Sequence, residues 1–318
     1  MQCSLTRGAF VTAICAAMML FTAVSLADET AAIKVVERPG QLEIRIAGKP
    51  FATYVYRDEK TLRPYFSNVR SPAGIQVTRH HPPRPDVDPT DHAELHPGIW
   101  LAFGDINGAD FWRNKGRVEH VEFVEKPTVD GGKLIFAVRN RYIGGEKTIC
   151  SELCRHTIAM RPAGYLLLYD SEFSSNAPFA FGDQEEFGLG FRVASPLRVK
   201  GGNGRMLASD GKQNEKEVRG STADWVDYSG EIDGQRVGLT LMPDPRNFRR
   251  SWYHARDYGF IAANPFGRNA LTGGPKSSVT VKPGEKFRLR FGVLIHSSPA
   301  DQPINLKAAY ADYLEQSK

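Results

Sequence analysis

The chain has 318 residues, of which 41% are hydrophobic and 24% charged, and these are the proportions of a folded globular protein and not of a disordered one. Its 41 basic and 36 acidic residues give a formal net charge of +5 without a basic run or stripe, which argues against binding to nucleic acid. The length suffices for one large β domain or for two smaller domains.

The first 27 residues have the pattern of a secretory signal peptide. Arg7 supplies a positive charge, an apolar segment follows it, and Ser25-Leu26-Ala27 forms a small-x-small cleavage site before Asp28. We therefore predict a mature protein of residues 28–318 that is periplasmic or secreted and has no stable membrane span after cleavage. The alternative is an uncleaved anchor, because the apolar segment approaches the roughly 20 residues that a spanning helix needs.

Short β-strands are predicted from residue 32 to residue 297, because apolar and polar residues alternate in short runs between turn signals. The turn signals that separate the runs are Pro39-Gly40, Gly48-Lys49-Pro50, Asp130-Gly131-Gly132, Asp233-Gly234 and Pro283-Gly284. The last of these signals is expected to lie at the tip of a final hairpin. Two long loops interrupt the pattern: a Pro-rich one over residues 80–91 and a polar, Gly-rich and mobile one over residues 200–221.

Helical spacing occurs only near the C-terminus. Asn305 is in position to cap a helix, and Leu306, Ala309, Tyr310 and Leu314 would share one of its faces. The chain is therefore predicted to be all-β, with residues 28–318 forming a single domain. We expect a large, supersandwich-like, two-sheet antiparallel β-sandwich with a short C-terminal helix.

Cys150 and Cys154 are the only cysteines after the predicted cleavage site. An exported protein can form a disulfide between them. On a strand, however, residues four apart lie about 13 Å from each other, whereas a disulfide needs Cα atoms within about 7 Å. A helical or looped backbone would remove this objection, so both outcomes are open.

The first candidate for chemistry is the pair His92 and His96. Pro97 disfavours helix at His96, so the pair does not have the geometry of a helical zinc site. A looped pair could bind a metal together with a carboxylate, or one imidazole could act as an acid or a base. The alternative is two surface histidines on a loop.

Polar residues follow in the order Asp105, Asn107 and Asp110 around Gly108. This order matches part of a calcium-binding loop, but Gly116 stands where the bidentate glutamate is required. A tight turn capped by polar side chains explains the same residues. The neighbouring Trp100 and Trp112 are suited either to the core or to stacking on a sugar ring.

A third group of residues, Asp183, Glu185 and Glu186, precedes an apolar strand. Adjacent strand residues point to opposite faces, so only one of the two glutamates is expected to face a pocket. A solvated loop is the alternative.

The clearest alternation is Trp252, His254, Arg256 and Tyr258, which share one face of a strand. This set is poorly suited to a hydrophobic core. An aromatic plane, a proton acceptor, a bidentate donor and a hydroxyl group together fit a sugar or an anion.

Together, the motifs HPGIWLAFGDINGADFW, FGDQEEFGLGFRV, DWVDYSG and WYHARDYGFIAANPFG resemble the bacterial exported family labelled "methane oxygenase PmoA". The resemblance spans most of the mature chain. Members are commonly found in bacteria rich in polysaccharide-degrading genes, which implies carbohydrate chemistry by association. His96 and His254 are the residues that carry over from the family pattern.

We therefore expect an exported carbohydrate-active enzyme of glycoside hydrolase or lyase type, with these motifs forming the walls of one pocket. The predicted catalytic residues are His96, His254, Glu185, Glu186 and Asp105. The predicted substrate-binding residues are Trp100, Asn107, Asp110, Trp112, Trp252, Arg256 and Tyr258. His254 or His96 would act as general base, a glutamate as its acid or orienting partner, and Arg256 would hold a substrate hydroxyl or carboxylate.

Two other functions are compatible with the sequence. A non-catalytic carbohydrate-binding module would need the aromatic and polar groups but no His–carboxylate hydrogen bond. A metal-dependent oxidoreductase would need His92, His96 and His254 to converge on one ion. The sequence assigns no residue to a metal and leaves the cofactor unknown.

Overall fold

The computed structural model describes residues 33–318 and contains two eight-stranded antiparallel sheets that share one hydrophobic core. The strands of sheet A, in spatial order, are β1 (Ile33–Arg38), β2 (Gln41–Ile46), β3 (Lys49–Val55), β4 (Tyr65–Ser67), β5 (Ile99–Phe103), β11 (Phe187–Arg192), β16 (Phe260–Asn264) and β15 (Trp252–Arg256). The strands of sheet B are β12 (Arg205–Ala208), β13 (Val226–Ile232), β14 (Gln235–Pro243), β18 (Phe287–Pro299), β9 (Gly164–Ser174), β8 (Lys147–Arg161), β7 (Lys133–Gly144) and β6 (Arg117–Asp130). A small third sheet pairs β10 (Phe179–Phe181) with β17 (Val279–Val281). The predicted two-sheet antiparallel β-sandwich is confirmed.

Alternation along the strands of sheet A separates two apolar layers. Leu189 and Phe191 of β11 and Ile261 of β16 belong to the core shared with sheet B. The intervening positions carry a second, smaller cluster on the opposite face, which we call the outer face of sheet A. Its buried members are Val55, Tyr65, Trp100, Ala102, Trp112, Phe260 and Ala262. A sheet that is apolar on both faces needs a cover on its outer side, and here loops provide it.

Helices are few and short in the described chain: α1 (Asn214–Val218), α2 (Arg268–Thr272), α3 (Leu306–Gln316) and a 3₁₀ turn (Ser195–Leu197). The carboxamide oxygen of Asn305 accepts a hydrogen bond from the backbone N–H of Ala308 at 3.0 Å, so the predicted cap and C-terminal helix are confirmed. Ala309 and Tyr313 of α3 pack against Leu294 of β18 on the side of sheet B away from the core.

The predicted turns at Pro39-Gly40 and Asp130-Gly131-Gly132 join β1 to β2 and β6 to β7. The prediction of a final hairpin around Pro283-Gly284 is wrong. Strand β17 pairs with β10, whereas β18 pairs with β14 and β9. The turn signal is real, but β17 has only three residues and its pairing is decided by distant strands.

The Gly-rich stretch of residues 200–221 also differs from expectation. It is an ordered segment that contains β12 and α1 and not a mobile loop. The backbone N–H of Gly220 donates to the carbonyl of Tyr253 at 2.9 Å, and the N–H of Tyr253 donates to the carbonyl of Ser221 at 3.0 Å. These bonds attach the segment to β15, at the edge of sheet A.

Cys150 and Cys154 are buried free thiols on the same strand, β8. The spacing of residues along a strand holds them too far apart to bond, which resolves the open question against a disulfide. The predicted signal peptide lies outside the described residues. Within residues 33–318, no helix combines the length and the apolar character that crossing a bilayer requires.

Candidate active site

A continuous row of residues crosses the outer face of sheet A. In register from β4 to β15, it runs through Tyr65, Trp100, Gly190, Ala262 and His254. Because Gly190 and Ala262 have little or no side chain, the surface of the sheet has a depression in the middle of the row, between the larger side chains at its two ends. The ring of Phe260 fills this middle, since a Cβ on Gly190 would come within 3.4 Å of that ring.

The two histidines that the sequence singled out both pack on Phe260. The ring of His96 stacks on Phe260 with centroids 4.7 Å apart, and His254 meets the same ring edge-on at 5.0 Å. His96 also stacks on Trp100 at 5.1 Å, and His92 stacks on His96 at 4.9 Å. The structure therefore brings His96 and His254 to one place from segments about 160 positions apart in the sequence.

His254 is held in one tautomer. Its Nδ1 lies 3.0 Å from the backbone carbonyl oxygen of Glu185, and a carbonyl oxygen can only accept, so Nδ1 carries the proton. Burial lowers the pKa of His254 to about 4, against the opposing charge of Glu185. The Nε2 atom is buried and has no hydrogen-bond partner among residues 33–318. At neutral pH it therefore presents a free lone pair, which is what a general base requires.

The carboxylate of Glu185 is fixed beside this lone pair. Its Oε2 accepts a hydrogen bond from Arg219 at 2.5 Å and lies 3.5 Å from Arg256 and 3.8 Å from Nε2 of His254. Burial alone would raise the pKa of Glu185, but His254, Arg219 and Arg256 outweigh it and hold the pKa below its ordinary value. An ionised carboxylate has no proton to donate, so Glu185 fits the predicted orienting role better than that of an acid.

The segment of residues 200–221 supplies further charged groups beside His254. The guanidinium of Arg256 donates to Glu215 of α1 at 3.0 Å, and the other oxygen of Glu215 accepts from the backbone N–H of Asp257 at 2.9 Å. Arg256 is thus shared between two carboxylates, Glu185 and Glu215. The arrangement is electrically balanced and leaves Nε2 of His254 as the free basic atom.

His96 carries its proton on the other nitrogen. Arg192 can only donate, so the Nδ1 atom of His96, 3.3 Å from its guanidinium, accepts and Nε2 carries the proton. Burial and the nearby charge of Arg192 hold the pKa of His96 well below its ordinary value. Arg192 is fixed in turn by two hydrogen bonds of 3.0 Å to Asp91 and lies 4.4 Å from the ring centre of Tyr258. Of the two predicted base candidates, only His254 has a free basic nitrogen.

Three of the predicted residues lie apart from the two histidines. Asp105, Asn107 and Asp110 line a groove of about 700 Å³ whose lining includes neither His96 nor His254. Asp105 accepts from the N–H of Gly108 at 2.8 Å and Asn107 from that of Ala180 at 2.7 Å, so both shape turns.

Asp110 and Glu186 flank one cation. Both carboxylates pair with Arg113, and Asp110 also accepts from two backbone N–H groups. Both are held by Arg113 and, among residues 33–318, neither pairs with His254, which does not fit the catalytic role predicted for Glu186 or the substrate contact predicted for Asp110. The structure therefore resolves the choice between the two glutamates: Glu185 faces His254 and Glu186 faces Arg113.

The stacking role predicted for Trp100 and Trp112 is wrong. Both side chains are buried, with 0% and 1% exposure, because His96 and the loops before β5 and after it cover them. Neither presents a ring face to a ligand. Trp252, Arg256 and Tyr258 are partly exposed, and Trp252 and Arg256 share the outer face with His254 as the alternation predicts. Tyr258 reaches the same cluster from the turn after β15.

Four charged residues of this site were not predicted: Asp91, Arg192, Glu215 and Arg219. One of them left a signal in the sequence. Arg192 is the only charged residue of β11, and it alternates with Gly188 and Gly190, so it lies on the outer face. Glu215 and Arg219 sit in a polar stretch where nothing separates them from solvated residues.

Metal binding by three converging histidines does not fit the geometry. Phe260 lies between His96 and His254, so His92, His96 and His254 do not surround one point. Across residues 33–318, no group of three or more His, Cys, Asp or Glu side chains is arranged to hold an ion.

Residues 41–309 match a family of unknown function (DUF6807), and the chain belongs to that family. The resemblance to the family labelled "methane oxygenase PmoA" was therefore wrong, because motifs this short did not distinguish one family from the other. No curated protein matches the sequence.

Several solved structures are similar at low identity. A galactose mutarotase-like protein from Clostridium acetobutylicum has 12% identity and a TM-score of 0.44, with 85% of this chain and 99% of that one covered. A galactose mutarotase related enzyme from Lactobacillus acidophilus has 10% identity and a TM-score of 0.34, with 86% and 100% covered. The GH36 α-galactosidase AgaA from Geobacillus stearothermophilus has 10% identity and a TM-score of 0.41; 84% of this chain is covered but only 41% of that one.

Proposed function

We propose that the protein binds a carbohydrate on the outer face of sheet A and transforms it by acid–base chemistry centred on His254. One observation carries this proposal. A buried imidazole is fixed as the Nδ1–H tautomer by the backbone of Glu185, and its unpartnered Nε2 adjoins an ionised carboxylate and two guanidinium groups. A neutral base beside fixed positive charge can remove a proton and stabilise the negative charge that develops.

The arrangement favours proton transfer over hydrolysis by paired carboxylates. A glycosidase of that kind needs one carboxyl group that stays protonated at working pH. Glu185 has a lowered pKa, and so does Asp91, where His92 and Arg192 outweigh the effect of burial. His96 instead offers a neutral Nε2–H donor on the other side of Phe260. Elimination or isomerisation, in which one group accepts a proton and another donates one, suits this pair.

Substrate reaches Nε2 of His254 by displacing the side chain of Glu185. That side chain is 33% exposed and is held by Arg219 and Arg256. A substrate hydroxyl or carboxylate that takes over these guanidinium groups would uncover the imidazole. We also propose that the protein is exported, on the basis of the N-terminal sequence pattern.

The test is turnover on a panel of poly- and oligosaccharides. Products would be followed as new reducing ends, as unsaturated sugars by ultraviolet absorbance and as anomeric changes by proton NMR. The proposal expects at least one substrate to be converted by the wild type and not by His254→Asn. Conversion by both proteins would overturn the role of His254.

Binding without turnover is the second candidate. It is favoured by the 3.8 Å between Nε2 of His254 and Oε2 of Glu185, which is too long for a hydrogen bond. A glycan that binds to the wild type without being changed, and binds equally well to His254→Asn, would favour this function.

A further inference from the structure

A second cleft of about 300 Å³ lies where the 56–63 segment meets the start of β6, and its lining includes neither His96 nor His254. We call it the Arg57 cleft. Three arginines line it: Arg57, Arg63 and Arg117. Among residues 33–318, none of the three has a carboxylate within ion-pair distance, although most arginines of the chain do.

Arg63 adds a buried positive charge that forms no ion pair with any residue that the structure describes. Its side chain is only 2% exposed, and its terminal nitrogens donate to neutral acceptors: carbonyls of Leu95 and Trp112, at 2.6 and 3.0 Å, and Asn114 Oδ1 at 2.8 Å. Its Nε is buried without a partner. Buried charges in proteins are normally paired, so this guanidinium adds positive charge beside the cleft, although its terminal nitrogens are already used in these bonds.

His120 gives a second, independent observation. It is 6% exposed, lines the same cleft, and its Nδ1 is buried with no partner in the described chain. Burial and the charge of Arg57 lower the pKa of His120 to about 4. The imidazole is therefore neutral at pH 7 and lies beside an arginine without a counter-charge.

The two carboxylates of the cleft are already engaged. Asp58 accepts from the N–H groups of Lys60 and Thr61, at 2.7 and 2.9 Å, and from the hydroxyl of Tyr65 at 2.6 Å. Glu119 pairs with Arg141 at 3.3 Å. Both carboxylates keep their negative charge, but neither lies within ion-pair distance of Arg57, Arg63 or Arg117, and three arginines against two carboxylates leave the lining with a net positive charge.

We propose that the Arg57 cleft binds an oxyanion, a phosphate or carboxylate group carried by a small molecule. Guanidinium groups bind both kinds of oxyanion with paired hydrogen bonds. The volume is that of a small-ligand site. Because Arg57 and Arg117 are exposed, they would close on the ligand from the solvent side, above Arg63 and His120.

The experiment measures Kd for inorganic phosphate by calorimetry at constant ionic strength, in the wild type and in Arg57→Gln, Arg117→Gln and Arg205→Gln. Arg205 is a matched control: like Arg117 it is an exposed arginine that begins an edge strand of sheet B, but it lies on the opposite edge, β12. We expect Arg57→Gln and Arg117→Gln to weaken binding about tenfold each and Arg205→Gln to leave it within about twofold.

A second arm replaces phosphate with glucuronate, with glucose as the neutral control, and distinguishes a phosphate ligand from a carboxylate ligand. NMR titration of His120 reports the location, because a bound anion raises the pKa of this imidazole. Binding of neither anion, equal weakening in all three variants or an unchanged His120 titration would each overturn the proposal. The unfolding midpoints of the variants without ligand verify that they are folded.

Discussion

Glu185 contacts His254 through both its backbone and its side chain. The backbone carbonyl of Glu185 accepts a hydrogen bond from Nδ1–H, with 3.0 Å between N and O, while the carboxylate lies 3.8 Å from Nε2. In a typical His–carboxylate pair, the acid group itself selects the tautomer. Here the peptide backbone selects it, so displacing the carboxylate from Arg219 and Arg256 would not change which nitrogen is basic.

This geometry makes His254→Asn an informative substitution. The asparagine amide can keep the donor to the Glu185 carbonyl, but it removes the basic nitrogen. We expect kcat to fall by about 10²–10⁴-fold with little change in KM, the usual contribution of a general base. The measurement is steady-state kinetics on a substrate found with the panel; a kcat close to that of the wild type would contradict the prediction.

His156→Gln is the matched control for that substitution. His156 is also a buried neutral imidazole, but it lies in the core between the sheets, where it packs on Phe136 and Tyr169. We expect its kcat, measured on folded protein, to equal that of the wild type. A comparable loss in both variants would mean that the effect comes from disturbed packing.

His156 also makes the stability of the fold sensitive to acid. Burial lowers its pKa to about 3, so between pH 6.5 and about 3 the unfolded chain binds a proton that the folded chain does not. The free energy of unfolding should therefore fall as pH falls through this window, by about 1.4 kcal/mol per unit for this group. Urea titrations at pH 7, 5 and 4 should show a shallower fall for His156→Gln than for the wild type. An equal slope in both proteins would assign the acid sensitivity to other groups.

The ionisation of Glu152 changes the stability of the fold with pH in the opposite direction. Its side chain is 3% exposed and accepts a hydrogen bond from Asn140 at 3.0 Å, and burial raises its pKa above the ordinary value despite that bond. The folded chain then holds a proton that the unfolded chain loses, so this group destabilises the fold as pH rises through the raised pKa. Glu152→Gln, which is close in shape and uncharged, should unfold at higher denaturant concentration than the wild type at pH 8. The difference should shrink at pH 4; a variant less stable than the wild type at pH 8 would refute this account.

The Asp91–Arg192 pair should contribute substantially to stability, because Arg192 is only 1% exposed and Asp91 is 40% exposed. Removing the carboxylate leaves the guanidinium buried and unpaired, and we expect Asp91→Ala to cost about 2–3 kcal/mol, less than for a fully buried pair. Adding Arg192→Met should recover part of the loss. The exposed pair of Arg38 and Glu43 is the control, and Glu43→Ala should change stability by no more than about 0.5 kcal/mol. Equal losses at both carboxylates would show that burial of Arg192 is not the cause.

Local pattern was enough to predict much of this fold. The period-two alternation placed Trp252, His254 and Arg256 on one face, and the turn signals marked the ends of β1, β6 and β13. Both kinds of signal depend on neighbours in the chain. The pairing of β17 with β10 depends on a segment about 100 positions earlier, and no local signal indicates it.

Burial of the tryptophans was not predictable for the same reason. Trp100 lies on the outer face of sheet A, which a strand pattern alone would leave in contact with solvent. Loop residues from before β5, His96 among them, cover it. Whether an aromatic ring stacks on a ligand or on the protein's own loop depends on where that loop folds back, which a single sequence does not show.

The chain topology of the site also has a consequence for when the site forms during folding. His254, Glu185, Arg219 and His96 come from four separate segments, and they meet only once β5, β11, β16 and β15 are aligned side by side. Pairings between segments so far apart in sequence form late and slowly during folding. Partly folded chains would therefore lack the buried, unpartnered imidazole of His254, and the proposed active site would form only in the last stage of folding.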